Sequence, residues 1–112
     1  MKTEIITERD IEKAGRVIKN GGLVAFPTET VYGLGADGFN DAAVKKIYEA
    51  KGRPSDNPLI LHVSDMEMTE KTGYINESAK KIIEKFWPGP LTVIVKKKDT
   101  VGDVVSAGLK TV

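Results

Sequence analysis

Apolar side chains recur at helical spacing in a first stretch that begins after Thr7. Asp10 stands three residues beyond Thr7, in the manner of a capping box, and the stretch ends before Gly21 and Gly22. The apolar positions share one face of a predicted helix of about 13 residues, and they are Ile11, Ala14, Val17 and Ile18. The pattern therefore predicts an N-terminal amphipathic helix that ends at a glycine pair.

Two further helices are predicted from the same spacing. One opens at Asp41 and ends at Gly52, and the other opens at Asn76 or Ser78 and ends at Pro88. Their apolar stripes are Val44, Ile47 and Tyr48 in the first, and Ile82, Ile83 and Phe86 in the second. Charged side chains fill the remaining positions, as expected for helices that bury one face.

Three short apolar stretches, bounded by glycine or proline, predict strands at residues 23–26, 58–63 and 91–95. In the second strand, Leu59, Leu61 and Val63 share one face, and Ile60 and His62 share the other. Residues 64–72 fit a short helix or helical turn, residues 96–99 fit a turn, and residues 100–112 show no helical stripe. This alternation of helix and strand predicts an α/β or α+β domain with a mixed sheet.

Composition narrows the class of protein. The 112 residues make one domain, and 40% apolar with 29% charged residues is typical of a soluble globular chain. The net charge of +1 gives no general attraction to nucleic acid or to an anionic membrane. No cysteine and a single histidine exclude disulfides, thiolate catalysis and a multi-histidine metal site. Without a membrane span or a signal peptide, the prediction is a cytoplasmic protein.

The loop after the first strand is one candidate site. Thr28 and Thr30 offer hydroxyl groups, Glu29 offers a carboxylate, and Gly33 and Gly35 allow a close approach of backbone to a ligand. The spacing is neither that of a phosphate-binding P-loop nor that of a dinucleotide fingerprint. An ordinary tight connection with a solvated carboxylate explains the same residues, so both interpretations stay open.

A second candidate site follows the second helix. Lys51 and Arg53 flank a glycine, and Asn57 lies in a turn that Pro54 and Pro58 make stiff. Lysine supplies a point charge and arginine a planar fork, a combination that suits a polyphosphate. Cations at a helix C-terminus also stabilise the helix dipole. A helix cap, however, needs neither the second proline nor Asn57.

Three other features each have two interpretations. His62 either binds a carboxylate or is a core histidine with its hydrogen bonds satisfied. Trp87 either stacks on a base or packs at a helix end. The lysines at 96–98 either contact RNA phosphates or form a solvated hairpin turn.

Three segments, in this order, resemble the YrdC-like family. They are GGLVAFPTETVYGL at residues 21–34, then KGRP at 51–54 with NPLI at 57–60 and His62, and finally WPGPLT at 87–92. The resemblance extends from about Ile11 to Val112, so it spans nearly the whole chain. It implies a twisted open mixed sheet with flanking helices and a positively charged concave face.

The resemblance also implies an activity. Members of the family are threonylcarbamoyl-AMP synthases, a class of nucleotidyltransferase. They join L-threonine, bicarbonate or CO2, and ATP into threonylcarbamoyl-AMP and release pyrophosphate. Partner proteins then transfer the threonylcarbamoyl group to tRNA, and some members bind double-stranded RNA. Mg²⁺ is expected with the ATP, and no metal-ligating side chain is predicted.

Residue roles carry over from the family position by position. Thr30 and His62 are expected to bind L-threonine, whereas Arg53 and Asn57 are expected to bind ATP. Lys51 is expected to neutralise the phosphates, which makes Lys51 and Arg53 the implied catalytic pair. Ser55 is a weaker addition to the ATP segment.

The chain departs from the family pattern at its end. Family members continue with an arginine-containing strand and a Ser-x-Asn motif, and residues 106–108 are not that motif. Residues 1–112 are therefore interpreted as the N-terminal portion of a single YrdC-like domain, and the activity of this chain alone is left open. An exposed strand edge predicts self-association or marginal stability.

Two alternative functions remain at this stage. One is a non-catalytic module of the same fold that binds tRNA or double-stranded RNA. The other is a relative of the same fold that transfers a carbamoyl group to a different substrate.

Overall fold

The computed structural model describes residues 2–52, 54 and 57–112, in which helices alternate with short strands. A 3-10 turn, Glu8–Asp10, precedes the first helix. The elements, in chain order, are α1 Ile11–Lys19, β1 Val24–Phe26, β2 Gly33–Gly35, α2 Asp41–Lys51, α3 Met66–Glu70, β3 Gly73–Tyr74, α4 Glu77–Phe86, β4 Lys96–Lys97 and α5 Asp103–Ser106. No helix among these residues is both long enough and apolar enough to cross a membrane.

The strands pair in two small antiparallel sheets. β1 pairs with β2, with Val24 opposite Gly35 and Phe26 opposite Gly33. β3 pairs with β4. The predicted mixed α/β class is confirmed, although Gly33–Gly35, interpreted from sequence as part of a loop, is a strand that completes a hairpin.

The core lies where α2 packs against α5. Val44 and Tyr48 of α2 contact Val101 and Val105, and all four are buried. Leu59, Leu61, Val104 and Val112 pack against this cluster from outside. The predicted stripe of α2 is thus confirmed. Its first turn is fixed by Asn40, whose side chain accepts a hydrogen bond from the Ala43 N–H at 3.2 Å.

The N-terminal helix differs from its prediction in two ways. Thr7 precedes the 3-10 turn and makes no side-chain cap hydrogen bond, so the predicted capping box is wrong. The apolar stripe of α1 is not buried either, and Ile11 is 71% exposed. Among the described residues α1 packs on β1 and on the turn before it, so that Ala14 and Ile18 are half-buried while Ile11 and Val17 are exposed.

Two predicted strands are extended but join no ladder. Leu59 donates its backbone N–H to the Val105 carbonyl at 2.8 Å, and residues 60–63 pair with no described strand. In residues 91–95, Val95 exchanges two backbone hydrogen bonds of 2.9 Å with Val112. A strand needs a neighbouring backbone, which an alternating sequence cannot supply by itself. These two strand predictions are therefore wrong as hydrogen-bonded elements.

The lysine run at 96–98 is not a free turn. Lys96 and Lys97 form β4, and the Lys97 ammonium donates to Asp103 Oδ1 at 2.6 Å and to the Ser106 hydroxyl at 2.8 Å. The Lys98 ammonium donates to the Glu70 carbonyl and lies 5.3 Å from the centre of the Tyr74 ring. Two of the three charges are thus committed to the protein's own groups.

The predicted helix near 64–72 is confirmed as α3, and the third predicted helix is confirmed as α4. The alternative left open at the start of α4 is resolved in favour of Asn76, whose Oδ1 accepts from the Ala79 N–H at 2.8 Å. The short elements β3 and α5 were not predicted from sequence.

Asn76→Ala is expected to destabilise the protein by about 1 kcal/mol, because the cap hydrogen bond to the first turn of α4 is lost. Ser78→Ala, two residues away and inside the helix, is expected to leave stability nearly unchanged. Urea unfolding followed by circular dichroism measures both variants. Equal losses in the two variants would contradict the assignment of Asn76 as the cap.

Candidate functional site

A cleft of ≈ 1110 Å³ lies beside the end of β1. Residues 26–29 line one part of it, and the segments 58–66 and 87–95 line most of the rest. The walls are mainly apolar, with a few polar side chains among them. Ligand sites are commonly concave and apolar with a small number of polar groups, so this cleft is the candidate site.

His62 lies on the cleft wall in contact with Phe26. The two rings meet edge to face, with centroids 5.9 Å apart and planes at 76°. The alternation predicted for this segment is confirmed, since Leu59 and Leu61 are partly buried whereas Ile60 and His62 are exposed. The imidazole is therefore accessible from the cleft and is held in place by an aromatic neighbour.

Gly33 and Gly35 make room for Phe26. A Cβ atom at Gly33 would lie 2.8 Å from Cζ of Phe26, and one at Gly35 would lie 2.9 Å from Cε1. Both glycines are on β2, and Phe26 is on the strand opposite. The structure thus gives these glycines a packing reason, which was not inferred from sequence. A role for Phe26 in the site was not predicted from the sequence. The available signal was a strand that ends in an aromatic residue and is followed by two glycines with one residue between them.

The loop between the two strands is organised by Thr28. Its hydroxyl oxygen accepts from the Thr30 N–H at 3.3 Å, and its hydroxyl donates to the Val31 carbonyl. Thr28 and Glu29 line the cleft together with His62. Thr30, the predicted threonine ligand, is exposed in the same loop but is not part of the cleft lining.

The predicted ATP segment begins at the end of α2 and is followed in sequence by cleft residues that start at Pro58. Lys51 is the exposed last residue of that helix, and Gly52 ends it with φ of 61°, in the left-handed region that favours glycine. Asn57 is exposed, and its carbonyl accepts from the Tyr48 hydroxyl at 2.8 Å. Neither Lys51 nor Asn57 lines the cleft, although Pro58, the residue after Asn57, does. The predictions for Arg53 and Ser55 lie outside the described residues.

Trp87 has a structural contact in addition to its place on the cleft wall. Its indole N–H donates to the Leu91 carbonyl at 2.9 Å and so spans the Pro-Gly-Pro turn. This contact favours the interpretation of Trp87 as a packing residue at the end of α4.

Metal-ligand clusters are absent from the part of the chain that the structure describes. In residues 2–52, 54 and 57–112 there is no group of three or more His, Cys, Asp or Glu side chains that could hold an ion.

Comparison with known proteins decides the family. A family model named for Sua5, YciO and YrdC, and described as "Telomere recombination", matches residues 16–112. The chain belongs to the Sua5/YciO/YrdC family. The resemblance inferred from the three sequence segments is thereby confirmed.

Two curated members of the family are similar to this chain over nearly its whole length. The threonylcarbamoyl-AMP synthase of Pyrococcus abyssi is 51% identical over 110 residues, which cover 97% of this chain and 32% of that protein. The enzyme of the same name from Bacillus subtilis is 55% identical over 104 residues, covering 91% of this chain and 30% of that protein. The chain thus spans about a third of the length of these relatives.

Solved structures of Sua5/YciO/YrdC proteins share the fold. A crystal structure of Pyrococcus abyssi Sua5 complexed with L-threonine matches with a TM-score of 0.88 and 51% identity, over 97% of this chain and 32% of that one. Escherichia coli YciO matches with a TM-score of 0.76 at 22% identity, over 97% of this chain and 53% of that one, and shows the fold alone.

Gly33→Ala is expected to displace the Phe26 ring and, with it, the imidazole of His62. Because the chain has one histidine, the imidazole proton resonances identify it directly in an NMR spectrum. We expect Gly33→Ala and Phe26→Leu both to shift these resonances, since each changes the ring that faces His62. Overpacking at Gly33 should also destabilise the protein by about 1 to 3 kcal/mol.

Gly15→Ala is the matched control, because no atom lies within 4 Å of a Cβ at this position on α1. It should leave the His62 resonances unchanged and stabilise the helix slightly. Unchanged His62 resonances in both Gly33→Ala and Phe26→Leu would contradict the proposed contact.

Proposed function

We propose that this chain carries the L-threonine and ATP segments of a threonylcarbamoyl-AMP synthase. The observation that carries the proposal is the position of His62 on the same cleft as the Thr28–Glu29 turn. Support comes from the membership of the family and from the L-threonine complex of a relative that is 51% identical.

The cleft offers L-threonine complementary groups. His62 can donate a hydrogen bond to the carboxylate, and the apolar walls suit the methyl group. The Thr28 hydroxyl already accepts from and donates to its own turn. Its role in this proposal is to hold the loop that carries Thr30, the residue that the family resemblance assigns to L-threonine.

The segment after α2 is proposed to bind ATP. Lys51 and Arg53 would place two positive charges near the phosphates, and Asn57 would add a side-chain amide. Lys51 is exposed at the end of its helix, so its ammonium group is accessible to a phosphate. Both ends of the described part of this segment are fixed on α2, through the Gly52 cap and through Tyr48.

The reaction needs positioning and charge neutralisation more than a protein nucleophile. The threonine amine combines with bicarbonate, water leaves, and a carbamate forms. A carbamate oxygen then attacks the α-phosphorus of ATP as the bond to the β-phosphate oxygen breaks and pyrophosphate departs. The cations at 51 and 53 would stabilise the charge that develops on the departing phosphates.

Mg²⁺ is part of the proposal only as a companion of ATP. The described residues offer no cluster of carboxylate and imidazole ligands that fits a resident metal, so no step is assigned to a protein-held ion.

Two finer proposals follow from the same assignment. The product would pass to threonylcarbamoyl-transfer proteins that modify tRNA. The protein would work in the cytoplasm, a setting that suits a chain without cysteine.

Binding of tRNA or double-stranded RNA is the alternative function. The side chains of Lys97 and Lys98 make hydrogen bonds within the protein, which makes the enzyme interpretation the better supported of the two.

His62→Ala is expected to lower the affinity for L-threonine about tenfold, the loss of one hydrogen bond to a charged group. L-Threonine amide, which lacks the carboxylate, should bind the original protein more weakly by a similar factor. It should bind His62→Ala with little further loss, because the partner of the carboxylate is already gone. Titration calorimetry measures all four combinations, and additive losses would contradict a contact between His62 and the carboxylate.

Lys51→Ala is expected to weaken ATP binding about tenfold and to leave L-threonine binding unchanged. Lys45→Ala is the matched control, since it removes the same charge from another exposed position of α2. Thermal unfolding of both variants separates any loss of helix stability from the loss of ATP contact. Equal weakening in the two variants would show a general charge effect and would argue against Lys51 as an ATP ligand.

A further inference from the structure

Tyr48 connects three parts of the molecule through one hydroxyl group. Its ring is buried in the core on α2, with 6% of the residue exposed. The hydroxyl lies 2.8 Å from the Asn57 carbonyl oxygen and 3.1 Å from the Val104 carbonyl oxygen. A phenol has one hydrogen to donate, so the two carbonyls share it. The residue thus ties the end of the proposed ATP segment to α2 and to α5.

Residues 57–59 are also attached to α5 by a backbone hydrogen bond. Leu59 donates its N–H to the Val105 carbonyl at 2.8 Å, next to the Val104 carbonyl that Tyr48 contacts. Residues 57–59 are therefore fastened at two points, once to a side chain of α2 and once to the backbone of α5.

The α5 helix is itself fixed by three hydrogen bonds of one lysine side chain. The Lys97 ammonium donates to Asp103 Oδ1, to the Ser106 hydroxyl and to the Val101 carbonyl, at 2.6, 2.8 and 3.3 Å. Ser106 is 0% exposed. These contacts fix the short helix α5, whose carbonyls accept hydrogen bonds from the Tyr48 hydroxyl and the Leu59 N–H.

The consequence is a fixed relation between Lys51 and Asn57. Lys51 lies about one helical turn after Tyr48 on α2. The Asn57 carbonyl accepts a hydrogen bond from the hydroxyl of Tyr48. Without the hydroxyl, Asn57 would lose its contact to the helix that carries Lys51. Ordering a loop on binding lowers affinity, so a loop held beforehand binds its ligand more tightly.

We propose that the Tyr48 hydroxyl is a positioning group for ATP, which acts by holding Asn57 in a fixed place relative to Lys51. The proposal rests on the proposed function, since it takes Lys51 and Asn57 as the ATP ligands. Tyr48 does not contact the nucleotide and takes no part in the chemistry.

Tyr48→Phe tests the proposal, because it keeps the buried ring and removes only the hydroxyl. Tyr74→Phe is the matched control, since Tyr74 is 60% exposed on β3 and phenylalanine keeps the ring that Lys98 covers. Three quantities are measured in each protein: the dissociation constant for ATP, that for L-threonine, and the hydrogen-exchange rate of the Leu59 amide.

We expect Tyr48→Phe to weaken ATP binding about fivefold, the equivalent of one ordinary hydrogen bond. L-Threonine binding should stay within about twofold, since neither residue that the hydroxyl contacts is proposed to bind L-threonine. The Leu59 amide should exchange faster, because the segment has lost one of its two attachments. Tyr74→Phe should match the original protein in all three measurements.

Several results would overturn the proposal. Equal losses for ATP and L-threonine, or a Tyr48→Phe protein that does not fold, would show that the hydroxyl supports the fold as a whole. Unchanged ATP binding, or unchanged Leu59 exchange, would show that the tether does not position Asn57. If the original protein bound L-threonine but not ATP, the assignment of the ATP segment would fail first, and this proposal would fail with it.

Discussion

The packing of α2 against α5 is the contact on which the rest of the molecule depends. Val44 and Tyr48 meet Val101 and Val105 there, and Leu59 and Leu61 rest on the same cluster. Because Leu61 is held on its inner face, its neighbour His62 is turned outward to the cleft wall. One extended segment thus contributes both to the apolar core and to the cleft wall, so a shift of its core residues would also move His62.

A second, smaller contact joins the N-terminal hairpin to this unit. Phe26 fits over Gly33 and Gly35 on one side and meets the His62 ring on the other. Lys46 on α2 adds a hydrogen bond of 2.8 Å to the Gly21 carbonyl, shortly before β1. The radius of gyration, 14.6 Å, exceeds the value of about 13 Å expected for a compact chain of this length. The larger radius agrees with the presence of the cleft.

Sequence predicted well those features that depend on local chemistry or on long periodic patterns. The helices α2 and α4 have definite ends, and the predicted stripe of α2 is buried, whereas in α4 only Ile83 of the predicted stripe is buried and Ile82 and Phe86 are exposed. Alternation placed Ile60 and His62 on one face, and the structure shows that both are exposed. The capping box at Thr7 failed because the chain first makes a 3-10 turn. β2, β3 and α5 have two to four residues each, too few to show a period. A local pattern cannot reveal contacts between separate segments of the chain. Such contacts determine the position of Thr28 in the cleft, the packing of Phe26 and the hydrogen bonds of Tyr48.

Trp87 gives the protein an optical reporter of its own. It is the only tryptophan, its indole N–H is bound to the Leu91 carbonyl, and its ring forms part of the cleft wall. The indole is therefore fixed in orientation while one side of it meets whatever fills the cleft. Its fluorescence emission maximum should depend on the polarity of the cleft. Replacement of water by a ligand would therefore shift the emission maximum without any added label.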